Sequence, residues 1–148
     1  MNGRQIELNR PIQLIQGWQM ISYYPREPVD AVVALSGLGE ILLLAKDGEG
    51  RFYNPEFRFS NMGDMVEGSG YMIKVSENIE LVYRLEEELD GPAMGRPASV
   101  PQYLPVHLVT LENMSLLVLT DLAEGEIGVY AQGNLVGSGV IQNGRCGL

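Results

Sequence analysis

No uninterrupted apolar stretch in this chain exceeds five residues, and glycine or proline breaks the pattern throughout. Ile41-Leu-Leu-Leu-Ala is one such stretch, far short of the roughly 20 residues a membrane-crossing helix needs. Short apolar runs bounded by turn residues favour strands over long helices. With 18 Gly and 8 Pro in 148 residues, the predicted fold is mainly β, with α+β as the close alternative. Apolar residues make up 45% of the chain, enough for a real core without a metal or disulfide staple.

The alternation of residue types predicts two small β-rich modules with one or two short helices. The first spans residues 1–84. Ile12, Leu14, Trp18, Met20 and Ser22 share even spacing, so a strand bent at Gly17 is predicted, with Trp18 in the core. Val29, Val32, Val33 and Leu35 recur at helical spacing after Pro28, which predicts a helix of two to three turns ended by Gly37 and Gly39. Ile41 to Ala45 reads as a strand buried on both faces. Lys46-Asp-Gly-Glu-Gly is then a hairpin turn, and Arg51-Phe-Tyr-Asn the return strand, stopped by Pro55. Met62, Met65 and Val66 are predicted core contacts. Tyr71 to Val75 and Ile79 to Tyr83 supply further strands, with Tyr71 in the core. Residues 85–105 combine the acids Glu86, Glu87, Glu88 and Asp90 with a Pro/Gly-rich stretch and read as a linker. Residues 106–148 form a second module built on Ser115-Leu-Leu-Val-Leu, Glu126 to Ala131 and Leu135 to Gln142, with hairpin signals at Gln132-Gly-Asn and Asn143-Gly.

Charge narrows the function classes. The net charge of −9 repels phosphate backbones and anionic lipid, so neither nucleic-acid binding nor membrane insertion is expected. The linker acids read as a solvated tether, with a cation or a basic partner as the sharper alternative. Cys146 is the single cysteine and His107 the single histidine. Nucleophilic catalysis would have to pair those two. No serine stands in a G-x-S-x-G context, and neither Gly68-Ser-Gly nor Gly137-Ser-Gly has phosphate-loop spacing. The sequence therefore predicts no enzyme and no cofactor, with an enzyme whose site carries no recognisable motif as the third reading.

Two candidate sites remain. Asp47 and Glu49 offer hard oxygen ligands in a possible calcium loop, although two carboxylates without EF-hand spacing read more simply as a turn. Trp18, Tyr53, Phe57 and Phe59 are candidates to line a groove for a sugar or other flat ligand, because aromatic faces stack on apolar ring surfaces.

Three segments then carry a resemblance: Gly17-Trp-Gln-Met-Ile-Ser, Lys46-Asp-Gly-Glu-Gly-Arg-Phe-Tyr-Asn-Pro, and Gly68-Ser-Gly-Tyr-Met-Ile-Lys-Val. Together they resemble β-rich accessory modules repeated in large bacterial surface and secreted proteins. The second block, from Asn113 to Val140, resembles a module that sits beside it in such proteins. The resemblance implies a non-catalytic structural or protein-interaction role outside the cell. The chain shows no signal peptide, so a cytoplasmic location is the default expectation. Such modules continue with a further apolar strand where this chain ends at Leu148. An unpaired edge is therefore expected around Val136, Val140, Cys146 and Leu148, and with it a homo-oligomer formed by edge pairing. An unknown protein or small molecule is the alternative partner.

Overall fold

A computed structural model describes residue 7 and residues 9–85, 101–104 and 115–148. The fold is mainly β: among the described residues there are antiparallel sheets and only two short helices.

In the first block, β1 (Ile12–Leu14) and β2 (Gly17–Ser22) follow one another across a bend. β3 (Val29–Asp30) leads into α1 (Ala31–Ala34) and a 3₁₀ segment, Ser36–Ile41. β4 (Leu42–Lys46) and β5 (Phe52–Asn54) form the hairpin around the Asp-Gly-Glu-Gly turn, and β6 (Phe59–Ser60) comes next. β7 (Asp64–Met65), β8 (Gly70–Val75) and β9 (Ile79–Leu81) complete the block. The main sheet runs β2-β8-β4-β5-β6, and the pairs β1-β9 and β3-β7 stand apart from it. In the second block, β10 (Leu117–Leu119), β11 (Glu124–Ala131), β12 (Asn134–Gln142) and β13 (Arg145–Gly147) form a sheet in the order β10-β13-β12-β11.

The helix is one turn long, not two to three. Asp30 caps it, its Oδ1 accepting from Val32 N at 2.9 Å, and Leu35 closes it. The valines are β-branched and poor at extending a helix, and Gly39, at φ +52°, kinks the 3₁₀ segment. The apolar residues of this turn go inward: Leu35 and Leu38 are fully buried beside Leu14, Ile73 and Leu81.

The core lies under the inner face of the main sheet. Ile21, Tyr71, Ile73, Val75, Ala45 and Tyr53 point into it from alternating strand positions. Tyr71 is core, as predicted. Trp18 is not, because the bend at Ile15–Gly17, with Gly17 at φ +105°, inverts the alternation. Leu14 points inward from β1, but in β2 the odd residues take the inside, leaving Trp18 47% and Met20 73% exposed. The same logic corrects two further expectations. Leu43 sits at a register shift in β4 and is 40% exposed, so that strand is not buried on both faces. Met62 and Met65 are core residues, whereas Val66 is largely exposed.

Buried phenols knit the core's rim. Tyr83 meets Tyr23 edge-on at 4.8 Å and Tyr24 at 5.2 Å between ring centroids. Each hydroxyl finds a carbonyl: Tyr83 donates to Ser22 O and Tyr23 to Glu27 O, both at 2.9 Å. Tyr24 donates to Arg10 O.

The second sheet is thin. Ile141 and Cys146 are its buried apolar side chains, and glycines let neighbours approach closely. A Cβ at Gly139 would stand 2.5 Å from Cys146 Sγ, and one at Gly128 would stand 2.9 Å from Leu135 Cδ1. Residues 101–104, expected as linker, are fastened to this sheet: Glu126 accepts hydrogen bonds from the backbone N–H of Gln102, Tyr103 and Leu104. The acids Glu86, Glu87, Glu88 and Asp90, and His107, lie outside the described residues.

The two sheets touch. Ser115 Oγ donates to Gly50 O at 3.1 Å. Gly147 packs so closely on the first module that a Cβ there would lie 2.5 Å from Phe59 Cε1 and 2.8 Å from Asn61 Nδ2.

Candidate functional site

The predicted aromatic groove does not form. Tyr53 points into the core from β5 and is 7% exposed. Trp18 and Phe59 lie on opposite edge strands of the main sheet, four interstrand spacings apart, or about 19 Å. Phe59 packs against Phe52 in a tilted pair, with centroids 5.1 Å apart, and Phe59 is in contact with the second module at Gly147. Phe57 is exposed in the loop between β5 and β6. Pro55 and the Asn54 side chain set that loop: Arg58 N donates to Pro55 O, and Phe57 N donates to Asn54 Oδ1.

The Asp47-Gly-Glu-Gly loop is a turn held by its own arginine. Asp47 Oδ1 accepts from Glu49 N and Arg51 N, both at 2.9 Å, and Oδ2 pairs with Arg51 Nε at 2.5 Å. Glu49 Oε2 lies 3.3 Å from Arg51 Nη2. Desolvation opposes the guanidinium charge, but the hydrogen bond and attraction to Asp47, with Glu49 adding, raise the Arg51 pKa above its ordinary value. Both carboxylates therefore have a resident cation. Among the described residues, no group of three or more His, Cys, Asp or Glu is placed to hold a metal.

The expected free edge in the second module is also corrected. Cys146 lies on β13, between β10 and β12, and Val140 on the end of β12 that β13 approaches; Val136, at a register shift further back along β12, lies beyond the Gln142–Arg145 pairing with β13. Leu148 exchanges two backbone hydrogen bonds of 2.9 Å with Leu116. Residues 145–147 form a strand, so among the described residues the outer strands of this sheet are β10 and β11. Cys146 is fully buried and burial pushes its thiol pKa up, which makes it a poor nucleophile.

Beside this sheet opens a cavity of 570 Å³, whose walls include Tyr103, Glu124, Glu126, Val140 and Ile141. Desolvation works to raise the Glu126 pKa, but the backbone donors of Gln102, Tyr103 and Leu104 outweigh it and hold the carboxyl below its ordinary value. That carboxylate is thus engaged in tethering the 101–104 bend.

The surface that sequence reasoning missed is the outer face of the main sheet. Register places Trp18 beside Lys74 and Met20 beside Met72, with Leu44 and Lys46 next along β4. Lys74 Nζ stands 5.8 Å from the Trp18 ring centroid, a cation–π contact. The far end of this face is covered at Phe59 by the second module around Gly147, and Phe52, packed against Phe59, is 3% exposed. The near end is open, with Met72 also 37% exposed. A signal existed: Gly17 to Tyr24 carries apolar residues at both parities, and a strand of that kind needs a covering on both faces. Compared with protein-family models, curated proteins and solved structures, the chain matches none of them.

Proposed function

We propose that the protein is a non-catalytic protein-interaction module whose binding surface is the open end of the outer sheet face. One observation carries this reading: the face that meets the second module at Phe59 continues, uncovered, as Trp18, Met20 and Met72. Using their exposures and ~200 Å² for a large side chain, these three expose on the order of 300 Å². Contiguous apolar patches of that size on small proteins are often functional. The resemblance of the Gly17, Lys46 and Gly68 segments to accessory modules of bacterial surface proteins is compatible with such a role.

The test is affinity capture with the wild-type protein and with a Trp18→Glu/Met20→Lys variant, followed by titration of the purified partner. Both side chains face solvent, so the variant should fold with stability within about 0.5 kcal/mol of wild type. A partner held at least 10-fold more weakly by the variant supports the reading. A partner that binds both equally refutes it.

A second reading rests on the 570 Å³ cavity beside Tyr103: a small molecule could enter there rather than at the aromatics of the first block. A ligand at 100 times its dissociation constant would add about 2.7 kcal/mol of stability, readily seen by thermal shift.

A further inference from the structure

The geometry points to strand addition at β2 by an extended, acidic segment of a partner protein; this deepens the interaction-module reading and rests on it. Among the described residues β2 is an edge strand whose only neighbour is β8. Its backbone parity is fixed at its end, where Tyr23 N donates to Ser69 O across the ladder. Ser22 O, one residue earlier, points the other way and accepts from the Tyr83 hydroxyl. Alternation then directs the N–H and C=O groups of Trp18 and Met20 away from β8, toward the open edge. The parity of β8 agrees: Ser76 N, on the even set, donates to Ile41 O on the β4 side. An incoming strand would find two donors and two acceptors in register, beside two exposed apolar side chains.

Charge and area choose the occupant. Acids outnumber bases 19 to 10 in the chain. Yet the outward positions of β2, β8 and β4 carry Lys74 and Lys46 and no carboxylate. A second copy would present the same lysine-bearing face, with no carboxylate on it to meet Lys74 and Lys46. Its apolar contribution, on the order of 300 Å² per protomer, is below the roughly 450–520 Å² of non-polar area within the ~800 Å² per partner of a stable interface. Strand addition by a peptide draws mainly on backbone hydrogen bonds and needs only small side-chain sites. The fitting segment places an apolar side chain beside Met20 and a carboxylate beside Trp18, where the Lys74 ammonium lies.

The probe is the heptapeptide Thr-Glu-Thr-Val-Thr-Glu-Thr, with end groups blocked, and its lysine counterpart Thr-Lys-Thr-Val-Thr-Lys-Thr. Both are titrated into the full chain while backbone amide resonances and the fluorescence of Trp18, the sole tryptophan, are followed. The expected result is saturable shifts at the Trp18 and Met20 amides with a dissociation constant of about 1 mM or tighter. The lysine peptide should bind at least 10-fold more weakly. Met20→Pro removes one outward N–H, which an edge strand tolerates, and should abolish binding with the fold intact. No saturable shift at several millimolar overturns the proposal, as does equal binding of the two peptides. Undiminished binding to folded Met20→Pro overturns strand addition alone; the interaction-module reading then still stands or falls with the Trp18→Glu/Met20→Lys capture. A concentration-dependent mass without peptide, lost in Met20→Pro, would assign the edge to a second copy instead and overturn the acidic partner. If Met20→Pro does not fold, Lys46→Glu/Lys74→Glu should reverse the peptide preference, and an unchanged preference overturns the charge assignment.

Discussion

Replacing Gly147 by alanine should measure how firmly the two sheets are joined. A methyl at that position would stand 2.5 Å from Phe59 Cε1 and 2.8 Å from Asn61 Nδ2, where ordinary carbon contacts begin near 3.4 Å. The Phe59 ring must therefore retreat by nearly 1 Å, but it is backed by Phe52 at a centroid distance of 5.1 Å. Asn61 is no freer, since its Oδ1 accepts from Phe52 N at 2.7 Å. Overpacking of this kind costs ~1–3 kcal/mol. Alanine also restricts the unfolded chain relative to glycine, which returns about 0.4–1 kcal/mol. The steric cost wins, leaving a net loss of about 1–2 kcal/mol and, for a chain of this size, a melting temperature lower by about 2–8 °C. Separating the sheets offers no cheaper escape, because uncovering Phe59 forfeits apolar burial of up to ~1.5–3 kcal/mol. The assay is thermal and urea unfolding of wild type, Gly147→Ala, Phe59→Leu and the double variant. Leucine lacks the ring edge that the new methyl would strike, so the double variant should be more stable than the sum of the two single losses by at least ~0.5 kcal/mol. Stability of Gly147→Ala within ~0.5 kcal/mol of wild type, or strict additivity, would refute a tight contact between the modules.

Further outcomes are expected at single side chains. Burial, with the neighbouring Tyr71, Asp64 and Glu27 adding, pushes the Tyr23 pKa up to about 12, and burial raises that of Tyr83 further. Both phenols keep their protons longer in the folded than in the unfolded chain, so their contribution is whole below pH ~10 and is lost as pH rises through about 12. Urea midpoints against pH should show the buried Cys146 thiol's fall beginning near ~8.5 and a further, steeper fall above ~10 from the two phenols; no added fall above ~10 would contradict this. Tyr83→Phe removes the 2.9 Å bond to Ser22 O and should cost about 1 kcal/mol by the same measurement, whereas no change would mean the phenol is not needed there. Asp47→Ala deprives Glu49 N, Arg51 N and the Arg51 guanidinium of their acceptor and should cost about 1–2 kcal/mol; calcium should leave the wild-type melting temperature unmoved, and a calcium-dependent rise would overturn the reading of this loop as a plain turn. Cys146 should react with a thiol reagent at least 100-fold more slowly in the native protein than in urea, because its sulfur is fully buried and its pKa raised; equal rates would place the thiol at the surface.

Much of the first sheet was legible because its signals are local. Asp47-Gly-Glu-Gly announces the hairpin between β4 and β5, and Tyr71 to Val75 alternates cleanly enough to put Tyr71, Ile73 and Val75 inside. The candidate surface was not legible, because it depends on parity. One bend at Ile15–Gly17 moves Trp18 and Met20 from the expected inner face to the outer one, with no change in the strand's composition. The role of the last residues was hidden for another reason. Arg145-Cys-Gly is too short to carry a pattern, and its place inside the sheet depends on pairing with Leu117 to Leu119, far back in the chain, as well as with β12 across the Asn143-Gly turn.

By itself the sequence determined the class of fold, the sites of the turns and the main strands, since glycine, proline and alternation act over a few residues. Tertiary structure alone decided which face of β2 meets water, which strands of the second sheet are edges, and where Gly147 meets Phe59. Those outcomes are set by pairings between segments distant in the chain: β2 with β8, β10 with β13, and β6 with β13. A residue's local pattern is the same whether a partner strand covers it or not, so only the folded arrangement could reveal that Trp18, Met20 and Met72 stand open beside Lys74.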